Sequence, residues 1–598
     1  MTSTRPSLKI TKVQTIRRLL KLTIPHTKKI LLASACVVLV NAAQLIKPYI
    51  LKLVIDDFLI RHVEQKGFYS IKAMGILYFV VVAMGGFFSI AQVNLINKAG
   101  QEIMRKLRTR VFRTIQLMPL WYLDKTSSGR LITRATNDVE SVSQMYTDIL
   151  INLFQDTFLL VGIVYTMIII NLQLALISFC VLPLMFAIVF LLKTTIRSNF
   201  KRMKSLIGRI NGFMSENISG MKLVQIFRGE KDKKKEFLEL NNEYYKATLF
   251  QVWMNSFFKP ASEVFQSLAI AILIWFSISR ISNHTLEIGV LYAFTTYIKQ
   301  IFLPISNLAD SYATIQSAIV SSERIFELLD KEECIEYLDK GISMEHMEGN
   351  IEFRNVWFSY NDKDWILKNI SFSANKGQTI AFVGETGAGK TTIISLISGF
   401  YKIQKGEILI DGININDIRK RDLRKNVAVV LQDVFLFSGT IENNITLNDT
   451  IEKDILEKAI ESSYTKEFIK ACPNGIYEPV MERGSTFSAG QRQLLSFARA
   501  IAHNPSIFIL DEATANIDTY TEMLIQKAIE NVAKDRTTLI IAHRLSTIRN
   551  ADMIIVLRDG EILEIGKHDM LMKNGGYYRK MVVEGKKSNI DLSDDCLF

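Results

Sequence analysis

Cysteine is scarce in this chain. Five occur among 598 residues (Cys36, Cys180, Cys334, Cys472 and Cys596), far apart and in no CxxC or Cys/His grouping. That spacing excludes a disulfide framework and a zinc site as organising features. The seven histidines are equally dispersed. Acid is missing from the start of the sequence, where Arg, Lys, Ser and Thr abound and the first carboxylate is Asp56. Such a composition suits a mitochondrial presequence or a cytosolic amphipathic lead-in to a membrane helix. The second is the expectation, because the basic stretch ends at Lys28-Lys29 directly before an apolar run. Charged residues make up only 22% against 48% hydrophobic ones. That is too apolar for disorder and too charged for a wholly embedded protein, so the chain reads as part membrane, part soluble. Lys and Arg outnumber Asp and Glu by 72 to 60, a net charge of +12. A basic excess points to nucleic acid or to a membrane surface, and its location decides between them.

Six apolar stretches centre on about 30–50, 74–94, 150–170, 173–192, 262–281 and 287–308. Each is near the ~20 residues that cross a ~30 Å hydrocarbon core. Only a few residues around Asn171-Leu172-Gln173 join the third and fourth, and a short turn near Asn283 joins the fifth and sixth. The connections between the second and third and between the fourth and fifth are long and basic. They carry Arg105, Lys106, Arg108, Arg110, Lys201, Arg202, Lys204 and Lys233-Lys234-Lys235. The positive-inside rule places both in the cytoplasm, and six crossings then put both termini there too. The basic charge marks topology, and no nucleic-acid partner is needed to explain it.

These connections have few Gly or Pro and show helical apolar spacing. A helical run of ~25 residues extends ~37 Å beyond the bilayer. Turns are expected near Leu117-Met118-Pro119-Leu120 and Ser219-Gly220-Met221, at tips placed to touch a cytosolic domain. From Ile351 onward, short β-rich runs alternate with helical patterns and Gly-rich turns, the texture of a soluble α/β domain. The expected division is a six-helix transmembrane domain over 1–325, an acidic linker over 326–349, a soluble α/β domain over 350–585 and a solvated tail over 586–598. The fold class is therefore an α-helical six-span membrane domain with long cytosolic helical extensions, followed by an α/β domain whose ligand chemistry its motifs specify.

The strand Thr379-Ile380-Ala381-Phe382-Val383 runs into Gly384, Glu385, Thr386, Gly387, Ala388, Gly389, Lys390, Thr391 and Thr392, and then into an apolar helix. This is the complete phosphate-binding loop in its strand–loop–helix context. Glycines let backbone N–H groups approach phosphate, and the helix N-terminus adds partial positive charge. Lys390 is expected to reach the β- and γ-phosphates and Thr391 to ligate Mg²⁺. A second apolar strand, Ile507-Phe508-Ile509-Leu510, ends in Asp511-Glu512. There Asp511 suits holding Mg²⁺ through water, and Glu512 suits polarising an attacking water.

Between these lies Phe487-Ser488-Ala489-Gly490-Gln491-Arg492-Gln493. With this segment the chain resembles an ATP-binding cassette exporter of the half-transporter type, of the bacterial multidrug and lipid class, from the first span to about Gly585. The resemblance implies that this segment is the family signature, whose Ser488, Gly490 and Gln491 contact ATP held by the opposite subunit. The usual form has Leu first and Gly third, where this chain has Phe487 and Ala489. It also implies that Tyr360 stacks on adenine and that Gln432 senses Mg²⁺ and the membrane domain. By the same resemblance Glu482 contacts the helical hairpins, Asp518 lies in the loop crossing the dimer interface, and His543 is the switch histidine on the γ-phosphate. Asn516 and Ile517 depart from the family's usual residues beside Asp518. ATP and Mg²⁺ are the implied cofactors. The implied partner is a second half-transporter, and the sequence leaves open whether it is a second copy or a different chain.

Asp156, Glu263 and Lys299 fall in or beside the spans, where charge is costly and faces a bundle interior or an aqueous cavity. They are read either as structural ion pairs or as polar features of a transport cavity. Tyr292, Phe294 and Tyr297 of the sixth span are either cavity lining or packing. The expected activity is ATP-driven export of a small amphipathic cargo across the plasma membrane. An ATP-gated channel or a regulatory membrane sensor on the same scaffold is the alternative, which Glu512 and His543 argue against because they equip the site for turnover. A soluble cassette ATPase acting on DNA or ribosomes is opposed by the six spans.

Overall fold

The computed structural model describes residues 12–61, 70–283, 285–331, 340–511, 519–533, 536–541 and 548–583. The chain divides into two compact units, Met1–Gln116 with Ser128–Glu332, and Leu117–Ser127 with Glu333–Phe598.

The first unit is helical. A short basic helix, Lys12–Thr23, precedes the first long helix, Thr27–Leu53, which continues as a π-helical stretch over Val54–Ile60. The second helix, Ile71–Gln116, is 46 residues long, about 69 Å at 1.5 Å per residue. It therefore outruns a bilayer core, as the helical spacing of the long connection predicts. The third climbs through Ser128–Thr133, two π-helical stretches and Val139–Gln144 into Leu150–Ile170. Asn171 stops it: its extended backbone turns the chain, and its side chain accepts a hydrogen bond from the Leu174 N–H to start the next helix. The fourth runs as Leu172–Phe179 and Leu182–Ser219, the fifth as Glu230–Ser282 and the sixth as Ile288–Leu329.

Among the described residues four stretches are long and apolar enough to cross a membrane: Val13–Ile60, Ile71–Gln116, Ser128–Ile170 and Glu263–Ser282. Leu172–Leu184 is a shorter apolar helix, and the sixth helix interrupts its apolar stretch with Lys299, Gln300 and Asn307. Phe79, Phe87, Val161, Tyr165 and Trp275 lie on the outside of the bundle. In water such a surface promotes aggregation; in hydrocarbon it is the natural exterior.

The basic lead-in helix is anchored to this unit. Arg18 pairs with Asp330 at 2.6 Å and lies over the Phe326 ring at the end of the sixth helix. The buried Tyr146 hydroxyl donates to the Leu19 carbonyl at 2.6 Å.

The second unit holds two main sheets. One is antiparallel, in the order β2 (Leu367–Ala374), β1 (Ile351–Phe358), β4 (Lys405–Ile410), β5 (Ile413–Asn414). The other has the order β12 (Glu561–Gly566), β11 (Met553–Arg558), β3 (Thr379–Val383), β10 (Thr537–Ile541), β9 (Ile507–Asp511), β6 (Val427–Val430). Its strands are parallel except for the edge pair β11 and β12. The central strands are nearly continuous apolar runs because both faces are covered. One face packs against the antiparallel sheet and the helix Lys390–Ile397, the other against the helices Ala489–Ala502 and Thr519–Ala533. A third core, around Leu436, Ile445, Leu456 and Leu495, belongs to a helical lobe containing the small pair β7 (Gly439–Thr440) and β8 (Pro479–Val480).

The segment before β1 is paired rather than free. Ile342 bridges to Ile418, and Asp411 accepts from the backbone N–H groups of Glu348, Gly349 and Asn350.

Candidate nucleotide site

The loop after β3 has a geometry that only glycine permits at two points. Gly384 has φ +151° and Gly389 φ +101°. A Cβ at Gly384 would meet the Leu557 carbonyl oxygen at 2.2 Å, and one at Gly389 would meet Leu367 Cδ2 at 2.6 Å. Glu385, Thr386, Gly387 and Ala388 complete the turn into the helix Lys390–Ile397. No side chain caps that helix, so its first N–H groups face the loop. Lys390 is buried, and its Nζ donates to the carbonyls of Gly384 at 2.6 Å and Glu385 at 2.9 Å. The ammonium thus lies across the mouth of a ring of amides, an arrangement suited to a polyphosphate. Thr391 is exposed on the first turn, while Thr392 is buried.

The parallel register gathers the remaining expected groups at the same sheet edge. Ile541 of β10 is level with Asp511 of β9 and with Phe382 of β3, two residues before the glycine loop. Ligands of open parallel sheets bind outside these carboxyl ends. Gln432 follows β6, the neighbour of β9, and is exposed. Glu512, Asp518 and His543 lie outside the described residues, as do Asn516 and Ile517. Among the described residues no group of three His, Cys, Asp or Glu side chains could hold a metal. The Thr391 hydroxyl, Gln432 amide oxygen and Asp511 carboxylate are hard oxygen donors. They fit Mg²⁺, which keeps waters and phosphate oxygens as its other ligands, and do not suit zinc.

Tyr360 is 41% exposed. Phe358 meets its ring edge-to-face at 4.8 Å and Tyr401 at 5.0 Å. Its hydroxyl donates to Thr392 Oγ1 at 3.3 Å. Gln404 holds the preceding backbone, accepting from the Ser359 N–H at 3.1 Å and donating to the Ser359 carbonyl at 2.7 Å.

Two further residues join the site without a sequence signal of their own. Tyr401 hydrogen-bonds Asp124, in the segment Leu117–Ser127 that packs within this unit. Burial, and then the Asp124 carboxylate, hold the Tyr401 hydroxyl above its ordinary range. Tyr577 hydrogen-bonds Glu385 of the loop and lies under the Arg558 guanidinium. That bond, first, pushes the Tyr577 hydroxyl up. Tyr401 and Tyr577 are ordinary aromatics in the sequence, and only tertiary structure brings them to the loop.

The segment 487–493 forms the start of the helix Ala489–Ala502. Ser488 caps it: its Oγ accepts from the Gln491 N–H at 3.2 Å, while Gln491 Oε1 accepts from the Ser488 N–H at 2.9 Å. Gly490 is buried beneath this box and Ala489 is exposed. Phe487 is buried in the helical lobe, 6.1 Å from Phe468. Its substitution for the usual Leu is therefore a matter of packing. Glu482 is exposed on a 3₁₀ turn whose Arg483 has φ +57°.

Of the membrane candidates, Asp156 is buried, while Glu263 and Lys299 are exposed on the single chain. Phe294 and Tyr297 are fully buried packing residues, with the Tyr297 hydroxyl donating to the Leu45 carbonyl at 2.7 Å. Tyr292 is exposed.

Comparison with known proteins extends these observations. The family model for the ABC transporter transmembrane region matches residues 30–305, and that for the ABC transporter domain matches 367–515. The chain is 39% identical over 520 residues to the probable multidrug resistance ABC transporter ATP-binding/permease protein YheH of Bacillus subtilis, covering 86% of this chain and 77% of that protein. It is 34% identical over 568 residues to the ATP-dependent lipid A-core flippase of Syntrophus aciditrophicus, covering 94% and 93% respectively. The solved structure of a bacterial Atm1-family ABC exporter with ATP bound superposes with a TM-score of 0.78 at 26% identity, over 94% of this chain and 98% of that one.

Proposed function

This chain belongs to the ABC transporter family, in the form that fuses a membrane domain to one ATP-binding cassette, and we infer that it works as one half of a dimeric, ATP-driven exporter of an amphipathic cargo. In this reading residues 1–325 form the membrane domain, 326–349 the linker, 350–585 the cassette and 586–598 a tail. The observation that carries the site assignment is Lys390 Nζ spanning the Gly384 and Glu385 carbonyls at the sheet edge where Asp511 ends β9.

The roles follow from chemistry. The loop amides from Gly384 to Thr392 and the Lys390 ammonium bind the phosphates, and Tyr360 presents its ring face to adenine. Thr391, Gln432 and Asp511 would hold Mg²⁺. When bound, it neutralises charge on the β- and γ-phosphate oxygens. Glu512 accepts the proton of the attacking water, and His543 hydrogen-bonds the γ-phosphate. Ser488, Gly490 and Gln491 close on ATP held by the other subunit, with Asp518 crossing between the two. A chain with one cassette cannot build a full site alone.

A homodimer is the reading we favour. The burial of Phe487 in its own lobe supports this, since it leaves only the Ala489 methyl as a departure in the exposed signature. The test is the ATPase activity of the purified chain in proteoliposomes, with ATP and Mg²⁺ and no second transporter. Cargo-stimulated turnover of a stable dimer is expected. A poorly active chain rescued by another half-transporter would replace the homodimer with a heterodimer.

A further inference from the structure

The helical bundle contains a polar layer that the nucleotide chemistry does not use. Gln155 and Asp156 lie in the third long helix, Leu150–Ile170. Asp156 is fourteen positions before the helix end, about 21 Å at 1.5 Å per residue, which is below the middle of a ~30 Å core. Asn41 of the first helix donates through Nδ2 to the Gln155 carbonyl at 3.0 Å, and Gln92 of the second donates through Nε2 to Gln155 Oε1 at 3.1 Å. Asn41 and Gln92 are each 3% exposed and Asp156 8%. Asn307 of the sixth helix hydrogen-bonds the Asp156 carboxyl group. The first and second helices therefore meet Gln155, and the sixth meets the neighbouring Asp156 carboxylate.

The layer has a chemical bias. The Asn41 and Gln92 nitrogens are turned to Gln155, while Asn41 Oδ1, Gln92 Oε1 and Asp156 Oδ2 are buried with no hydrogen-bond partner among the described residues. All three are acceptors. Asp156 has no ion pair with a Lys, Arg or His among the described residues. A buried acceptor without a donor costs about 1–3 kcal/mol, and more when charged. Such a site favours a group that brings donors and positive charge. A primary ammonium supplies three N–H donors and a guanidinium five. A carboxylate, sulfate or phosphate head would add acceptors and repel Asp156.

We propose that Asp156, with Asn41, Gln92 and Gln155, forms a subsite inside the bundle that binds the cationic head of an amphipathic cargo, a primary alkylammonium or an alkylguanidinium. It rests on the exporter reading only for what happens to the cargo afterwards; binding itself needs no ATP. The surrounding spans supply the apolar surface for the tail.

The test is equilibrium binding of a spin-labelled primary alkylammonium to the full chain in proteoliposomes without ATP. Competition by unlabelled alkylammonium is compared with competition by an alkyl sulfate of the same chain length. The wild-type chain is expected to release the probe to the alkylammonium and not to the sulfate. Asp156→Asn, which keeps size and hydrogen-bonding capacity but removes charge, should weaken probe binding by roughly tenfold or more, the scale of one charge-assisted hydrogen bond. Asp156→Glu should recover part of it. Equal competition by the sulfate on the wild-type chain overturns the proposal even if every variant fails to fold. So does unaltered probe binding by a folded Asp156→Asn chain. ATP hydrolysis measured on the same wild-type vesicles reports separately on the exporter reading: its absence alongside selective probe binding would sink that reading and leave the subsite standing.

Discussion

Tyr360 and Lys390 reach the site in different ways. Lys390 is fixed by its own neighbours in sequence, because the glycines before it allow only one path and its ammonium bonds back to that path. It was therefore legible without a structure. Tyr360 is held by residues distant in sequence: Tyr401, Gln404 and Thr392. Only the motif Phe358-Ser359-Tyr360 was readable, and its supports were not. Tyr360→Ala is expected to weaken ATP binding by roughly tenfold or more, since stacking of a base on an aromatic is worth about 1–3 kcal/mol. Tyr360→Phe keeps the ring and loses only a neutral 3.3 Å bond to Thr392, so its loss should stay near 0.5–1 kcal/mol. Titration of a fluorescent ATP analogue separates the two; equal losses would assign the binding role to the hydroxyl. Glu512→Gln should retain ATP binding and lose nearly all turnover, because the amide keeps the shape and cannot accept the proton. Near-normal phosphate release by that variant would move the base elsewhere.

At the scale of elements, Ser488 at the start of the helix Ala489–Ala502 has a cap role in the structure and an ATP contact in the proposed function. The Ser488 hydroxyl closes a capping box with Gln491, and loss of such a cap costs about 1 kcal/mol. Ser488→Ala should therefore lower both thermal stability and ATPase activity. Ser488→Asp separates the effects: Asp is a good cap, so stability should be kept, while a carboxylate facing the γ-phosphate should abolish turnover. If Ser488→Asp hydrolyses ATP normally, the signature serine has only a capping role.

The short segment Leu117–Ser127 makes a second case. Sequence placed a turn there, and its packing with the cassette's unit follows from contacts that no local pattern encodes. Asp124 and Tyr401 share one bond. Tyr401→Phe and Asp124→Ala should therefore weaken cargo stimulation of the ATPase to a similar degree, and the double variant should be no worse than either, the signature of coupled residues. Additive losses would show that the two residues act independently.

For the whole molecule, the order of a helical membrane domain followed by an α/β cassette was legible because most of the apolar runs are long and the β texture begins abruptly at Ile351. The sixth helix was the least legible from composition, since Lys299, Gln300 and Asn307 interrupt its apolar stretch and its place in the bundle comes from packing through Ala293, Phe294, Tyr297 and Ile301. The π-helical stretches after Leu53 and within the third helix had no sequence signal.

In the homodimer proposed here, two copies of this chain couple ATP hydrolysis to outward movement of an amphipath. The most direct measurement uses inside-out proteoliposomes of the purified chain, following accumulation of a fluorescent amphipath together with phosphate release. ATP with Mg²⁺ is expected to drive accumulation, cargo to speed phosphate release, and Glu512→Gln to abolish both. A flux or current that proceeds without ATP consumption, or phosphate release indifferent to cargo in a folded dimer, would contradict this coupling.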